Sequence, residues 1–169
     1  LSVALLSAVL VFQHHDLRLD ATSERLSSLS PETAKILKGL NIERPVKIEA
    51  FVSPEVPEAY IQTRLDLLSM LRELEARGGG KVQVRVNPTE RFSEQAMRAE
   101  KRYDILPKRV TALNRGTLSE DHIFMGVAFT SGLEKVILPF IDRGIPVEYE
   151  LVRSITTVTQ QARKKIGVV

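Results

Sequence analysis

The sequence predicts an α/β protein, a mixed sheet laid out as β-α-β-α-β-β-β-α behind a short leading helix, with the end of a membrane-spanning helix before it. Three observations predict this. Two alternating apolar runs, "PVKIEAFV" and "KVQVRVNP", flank a long segment of helical period, the pattern of a parallel βαβ unit. Strand-like runs then follow one another with no helix between them, and a last amphipathic segment closes the series. An uncharged stretch over residues 1–12 precedes everything else.

Each element has its own signal. Ser30 and Pro31 open the leading helix, because the serine hydroxyl caps free amides and proline at the first position needs none; Ala34, Ile36, Leu37 and Leu40 are its apolar positions. In the first strand Val46, Ile48, Ala50 and Val52 alternate with Lys47 and Glu49. The long helix carries Ile61, Leu65, Leu68, Leu71 and Leu74 on one stripe and stops at Gly78, Gly79 and Gly80. Val82, Val84 and Val86 form the next strand, and "SEQAMRAEKRY" a short helix with Ala96, Met97 and Tyr103 inward. Past Pro107 come "RVTALN", "HIFMGVAFT" and "EKVILPFI", the last two joined through Ser131 and Gly132. Both faces of those last two runs are apolar, which predicts central strands, and Glu120 and Asp121 are read as closing a turn. The final helix starts at Pro146 with Tyr149, Val152, Ile155, Val158 and Ala162 inward. A βαβ unit followed by an antiparallel hairpin and a closing helix is the thioredoxin-like arrangement, here with one extra strand.

Twelve uncharged residues fall short of the roughly 20 that span a bilayer. The stretch over residues 1–12 lacks a polar face and gives way abruptly to "QHHDLRLD", so it is read as the outer part of a transmembrane helix. That reading requires an upstream extension of the apolar run preceded by Lys or Arg. The expected organisation is residues 1–13 as the end of that helix, 14–44 as a juxtamembrane segment and leading helix, 45–163 as the thioredoxin-like domain, and 164–169 as the start of a following domain.

The absence of cysteine excludes disulfides, thiolate catalysis and cysteine-based zinc sites. A thioredoxin-like fold carries its redox pair at the first strand-to-helix corner, and here that corner reads "SPEVPEAY". Ser53 has no neighbouring His or Lys in the sequence to activate it, and Glu55 and Glu58 occupy the positive end of the helix that a phosphate would need. The corner is therefore read as helix capping. His14, His15 and Asp16 are adjacent and point apart, which suits a polar collar better than a metal site. His122 is read as structural, and Glu148 and Glu150 as stabilising a helix start through its dipole. No cofactor is expected.

The formal net charge of +3 is mild, and the basic excess is local. Between positions 91 and 115 seven basic residues face three acidic ones. Most such runs are solvated faces. The functional alternative is contact with an acidic partner or lipid headgroups through Arg98, Lys101, Arg102, Lys108, Arg109 and Arg115. Nucleic acid is not expected, because no aromatic platform is interleaved with these charges for bases to stack on.

The segment "LRLDATSERLSSLSPETAKILKGL" followed by "PVKIEAFVSPEVP" resembles the opening of the GldG-type auxiliary components of bacterial ABC transporters. Ser28, Leu29, Ser30, Pro31 and Thr33 match that family's pattern, while Asp20, Ala21 and Thr22 depart from its Asp-Leu-Thr triplet at the middle residue. "GGGKVQVRVNP" and "VEYELVRSITTVTQQARKKIGVV" also fit, so the resemblance runs over nearly the whole chain. These are capping and packing residues and carry fold more than function. The resemblance implies a non-enzymatic subunit anchored in the bacterial inner membrane and facing the periplasm, beside an ABC permease and its ATPase, in some bacteria linked to gliding motility. Self-association is left open by this reading. The alternative is a saccharide- or lipid-binding module of the cell envelope.

Overall fold

The computed structural model describes residues 29–114 and 117–160. Four helices, α1 (Pro31–Lys38), α2 (Glu58–Gly78), α3 (Glu94–Tyr103) and α4 (Val147–Gln160), accompany six strands. These are β1 (Val46–Val52), β2 (Val82–Pro88), β3 (Lys108–Asn114), β4 (Thr117–Ile123), β5 (Met125–Ser131) and β6 (Glu134–Leu138). The main sheet is mixed, in the order β2-β1-β5-β6, and β3 with β4 makes a separate two-stranded ribbon. As expected, β1 and β2 run parallel with Val46 opposite Val82, and α2 supplies the crossover that parallel pairing requires. The β5–β6 pair is an antiparallel hairpin turning at Gly132, whose φ of 60° suits a residue without Cβ. Among the described residues no helix is long and apolar enough to cross a membrane. The run over residues 1–12, the triplet His14, His15 and Asp16, and residues 164–169 lie outside them.

Local chemistry accounts for the helix ends. The Ser30 hydroxyl accepts from the Thr33 amide at 3.2 Å, and Ser93 does the same for Ala96 at 3.1 Å. The long helix α2 ends with Gly79 in the left-handed region. At the corner before it Glu58 stands in the first turn as expected, but the capping departs from expectation. Its first cap position is Pro57 with no side-chain cap bond, so Ser53 is not a helix cap at all.

Two apolar clusters share the main sheet. On one face Val46, Ile48, Ala50 and Val52 of β1 and Met125, Val127 and Phe129 of β5 meet α2, α4 and Leu37 of α1. On the other, Phe51 of β1 and Ala128 of β5 meet Ala96, Ala99 and Tyr103 of α3 together with Ile105 and Phe124. The alternation of β1 follows from this layout. Lys47 is exposed and Glu49 half-buried, whereas Phe51, the next residue on that face, is fully buried under α3.

Several sequence expectations need correction. Residues 117–123, including Glu120 and Asp121, are not a turn but the strand β4, paired with β3 through Thr111 and Val110. Six strands therefore replace the expected five. The hydroxyl and charged side chains of "TLSEDHI" hide a strand that needs only a partner ladder and no buried face. The last strand, β6, is an edge rather than a central strand, and its residues are at most half-buried. On α2 the buried stripe is Tyr60, Leu67, Leu71, Leu74 and Gly78, and Ile61 and Leu65 are 47% and 50% exposed. Tyr60 takes the inward place because its ring packs edge-on against Phe140 while its hydroxyl reaches Asp142. Met97 and Tyr149 are likewise exposed, at 49% and 61%. On α4 the inward positions are Val147, Leu151, Ser154, Ile155 and Val158, and Ser154 tolerates burial because its hydroxyl donates to the Glu150 carbonyl at 2.8 Å.

Close approach around β5 depends on Gly126. A Cβ built there would lie 2.5 Å from Ile105 Cγ2 and 2.7 Å from the Pro139 carbonyl oxygen. Gly126→Ala should therefore destabilise the protein by about 1–3 kcal/mol, the usual cost of overpacking, read as a lower urea midpoint with unchanged slope. A midpoint equal to the parent's would show that Ile105 and the segment at Pro139 move aside freely.

Candidate functional site

Three side-chain assemblies stand out, and the first occupies the corner where thioredoxin-like chemistry is expected. Ser53 is 6% exposed at the end of β1. Its hydroxyl donates to the Thr89 carbonyl at 3.1 Å and accepts from the Phe124 amide at 2.9 Å, while its own amide donates to the Phe124 carbonyl at 2.9 Å. The Arg64 guanidinium bonds the Ser53 carbonyl at 2.9 Å. One hydroxyl thus staples the segment after β2 and the entry to β5 onto the end of β1. Beside it Glu55, Val56, Pro57, Asp121, His122 and Ile123 line a shallow cavity of about 240 Å³. Among the described residues no group of three or more His, Asp or Glu side chains could hold a metal ion.

The second assembly joins α3 to the main sheet. Tyr103 donates to Glu49 Oε1 at 2.6 Å, and Arg98 Nη2 lies 3.2 Å from Glu49 Oε2. Arg98 also donates to Asn87 Oδ1 at 2.6 Å, and Asn87 in turn donates to the Ala50 carbonyl at 3.2 Å. The Arg98 guanidinium sits 5.6 Å from the Phe51 ring centroid, within cation–π range. Burial, and then the bond and charge of Glu49, push the Tyr103 phenol up to about 12, so it stays a hydrogen-bond donor at neutral pH. Glu49 Oε2 and Arg98 Nε are both buried without a hydrogen-bond partner. This network came from no sequence motif. Its sequence trace is the single acid in the middle of the β1 exposed face and the Asn-Pro pair closing β2.

The third assembly closes the base of the β3–β4 ribbon. Asp142 accepts from Lys108 at 2.8 Å, from Tyr60 at 2.8 Å and from the Arg143 amide at 2.8 Å. The Lys108 bond, opposed by burial and helped by the other two donors, holds the Asp142 carboxyl down to about 2. Burial and the same Asp142 contact raise the Tyr60 phenol above its ordinary value.

The six basic positions expected to form one contact surface separate here. Arg98, Lys101 and Arg102 do share α3 and, with Glu94, Gln95 and Met97, line a groove of about 440 Å³. Arg98 is committed to Glu49 and Asn87, Lys108 to Asp142, and Arg109 lies 3.7 Å from Glu120 on the ribbon. Arg115 lies outside the described residues. Lys101 and Arg102 remain the outward cations of α3, the latter 5.3 Å from the Tyr103 ring centroid. His122 is half-buried on β4, opposite Arg109. Glu148 does more than favour a helix dipole. Its Oε1 accepts from the Ser30 amide at 2.8 Å and the Thr33 hydroxyl at 2.6 Å, which ties α1 to the start of α4. Burial opposes its ionisation, but those bonds prevail and lower its carboxyl. Between these two helices runs a mostly apolar groove of about 540 Å³ that includes Ile36, Pro146, Tyr149 and Val152.

A family model described as a domain of unknown function (DUF7088) matches residues 23–130, more than half of the chain. No curated protein and no solved structure matches the chain significantly.

Two outcomes test these assignments. Ser53→Ala strips Thr89 and Phe124 of a buried partner and should cost about 1–3 kcal/mol in chemical denaturation; a change within error would mean that water replaces the hydroxyl. Asp142 has a lowered folded-state pKa, so its contribution is present above the ordinary carboxyl range near 3.8 and is lost as pH falls towards about 2. Its side chain is 38% exposed, so the effect is screened and modest. The pH dependence of stability between about pH 4 and 2 should flatten in Asp142→Asn, and a slope identical to the parent's would remove this ion pair from the acid response.

Proposed function

The chain belongs to the DUF7088 family, and from that premise we propose that it is a non-enzymatic, membrane-anchored auxiliary subunit of an ABC transporter, of the GldG type, built on a thioredoxin-like fold. The domain faces the periplasm from the bacterial inner membrane and contacts the permease or the transported material, in a complex whose other partner subunit is the ATPase. The observation that carries the non-enzymatic reading is the closed corner. Ser53, the only nucleophile available there, is buried with its proton and a lone pair already engaged by backbone groups. A hydroxyl so placed has neither a base to activate it nor a path to substrate. The sheet order β2-β1-β5-β6, with β1 and β2 parallel and β5 and β6 antiparallel, supports the thioredoxin-like assignment. The resemblance over "SLSPET" and "PVKIEAFV" supports the transporter assignment.

A second reading, a lipid-binding module of the envelope, is favoured by the mostly apolar groove between α1 and α4. One preparation separates the two. Purification of the full-length protein from membranes should bring a permease and an ATPase with it, and a cysteine placed at Leu133, 99% exposed in the β5–β6 turn, should react with an impermeant reagent in intact cells. Recovery alone but with bound lipid, or labelling only after lysis, would sink the transporter reading.

A further inference from the structure

Among the described residues, the second face of the main sheet is only half covered. Helix α3, ten residues long, packs over Phe51 and Ala128 and ends at Tyr103, which bonds Glu49. Beyond it one register row crosses all four strands: Gln83 on β2, Lys47 on β1, Thr130 on β5 and Lys135 on β6. Arg85 stands in the next row, opposite Glu49. Lys47, Gln83, Arg85 and Lys135 are exposed and Thr130 is half-buried. None of the three cations forms an ion pair among the described residues, and the one acid on this face, Glu49, is already engaged by Arg98 and Tyr103. The floor is therefore polar, unpaired and positive.

Its shape narrows the occupant. Because α3 stands on the same face, it rises roughly 10 Å, a helix diameter, above the bare row. The row is a ledge with the sheet as floor and α3 as wall. A planar membrane resting against α3 would bridge the ledge without touching its floor. Single-stranded nucleic acid needs exposed rings for its bases, and the one ring on this face of β1, Phe51, lies beneath α3. An extended polypeptide suits the dimensions. Lys47 and Lys135 sit two strand spacings apart, about 10 Å, and Arg85 lies diagonal to Lys47 at about 8 Å. Alternate side chains of an extended strand fall about 7 Å apart, within reach of flexible lysine and arginine stems. The Gln83 amide and Thr130 hydroxyl add neutral hydrogen-bonding groups between the cations.

We propose that this ledge is a docking site for an extended acidic segment of a partner protein, with carboxylates at alternating positions taken by Arg85, Lys47 and Lys135. The inference is independent of the transporter reading and is tested on the purified chain alone. The probe is a fluorescent ten-residue peptide of alternating Glu and Thr, titrated with the full chain at low and at physiological salt, beside vesicles of anionic phospholipid and an oligo-dT strand. The peptide should bind, weaken with salt, and lose about tenfold or more in affinity for the Lys47→Glu, Arg85→Glu, Lys135→Glu variant, while Lys101→Glu with Arg102→Glu on α3 changes it less than about twofold. If the triple variant does not melt like the parent, Lys47→Gln with Lys135→Gln replaces it, with a loss of several-fold expected. Absence of peptide binding would overturn the proposal, as would equal loss in the α3 variant, or vesicle or oligonucleotide binding that the ledge variant abolishes.

Discussion

The Glu49 carboxylate accepts from Tyr103 and pairs with Arg98, and this contact sets how far α3 covers the face of β1 that carries Lys47 and Phe51. A half-buried carboxylate needs compensation for lost water, which the tyrosine and the arginine supply from one helix. Asn87 extends the same contact to the end of β2. On one side of Glu49 the strand is sealed between two apolar layers. On the other it faces water with Lys47. The small side chains of Ala96 and Ala99 let α3 lie close to the sheet, and Gly126 makes room for Ile105 beside it.

The opposite face needs no such arrangement, because α2 and α4 cover it with aliphatic side chains. Its polar contacts lie at the margins: Glu148 holding α1 to α4, and Asp142 gathering Tyr60, Lys108 and Arg143. Both are carboxylates surrounded by donors, and both are held ionised by those donors. They clamp elements far apart in sequence. The Ser53 hydroxyl plays the same part at the carboxyl end of β1. The strand-to-helix corner after β1 is thus held by a hydroxyl bonded to backbone groups of two other segments.

Much of this was legible from residue order. The strands β1 and β2 show their period of two, the helix α2 its period near 3.6, and their alternation implies a parallel pair. Ser30 announces its helix, and the three glycines after Arg77 announce a stop. The strand β4 was not legible, since "TLSEDHI" is polar on both faces and lies in a ribbon with little core to impose a pattern. On α2 the expected stripe holds at Leu68, Leu71 and Leu74 but fails in the first turns. There Tyr60, amphipathic, takes the buried place instead of the aliphatic Ile61, and Leu67 instead of Leu65. What decides between Tyr60 and Ile61 is the pairing of Tyr60 with Phe140 and Asp142, about 80 residues away.

The basic residues show the same division. Composition and order alone determined that cations concentrate between 91 and 115, that the chain carries no thiol, and that no His or Lys neighbours Ser53 in the sequence. Only the tertiary structure decided which cations are spent. Arg98 and Lys108 are neutralised by Glu49 and Asp142, 49 and 34 residues away in sequence, whereas Lys47, Arg85 and Lys135, spread over three strands and unremarkable in the sequence, meet on one face that the described residues leave open. The reason is physical. Period and propensity act over a few residues, but Coulomb pairing and burial depend on distances that exist only once the strands have aligned.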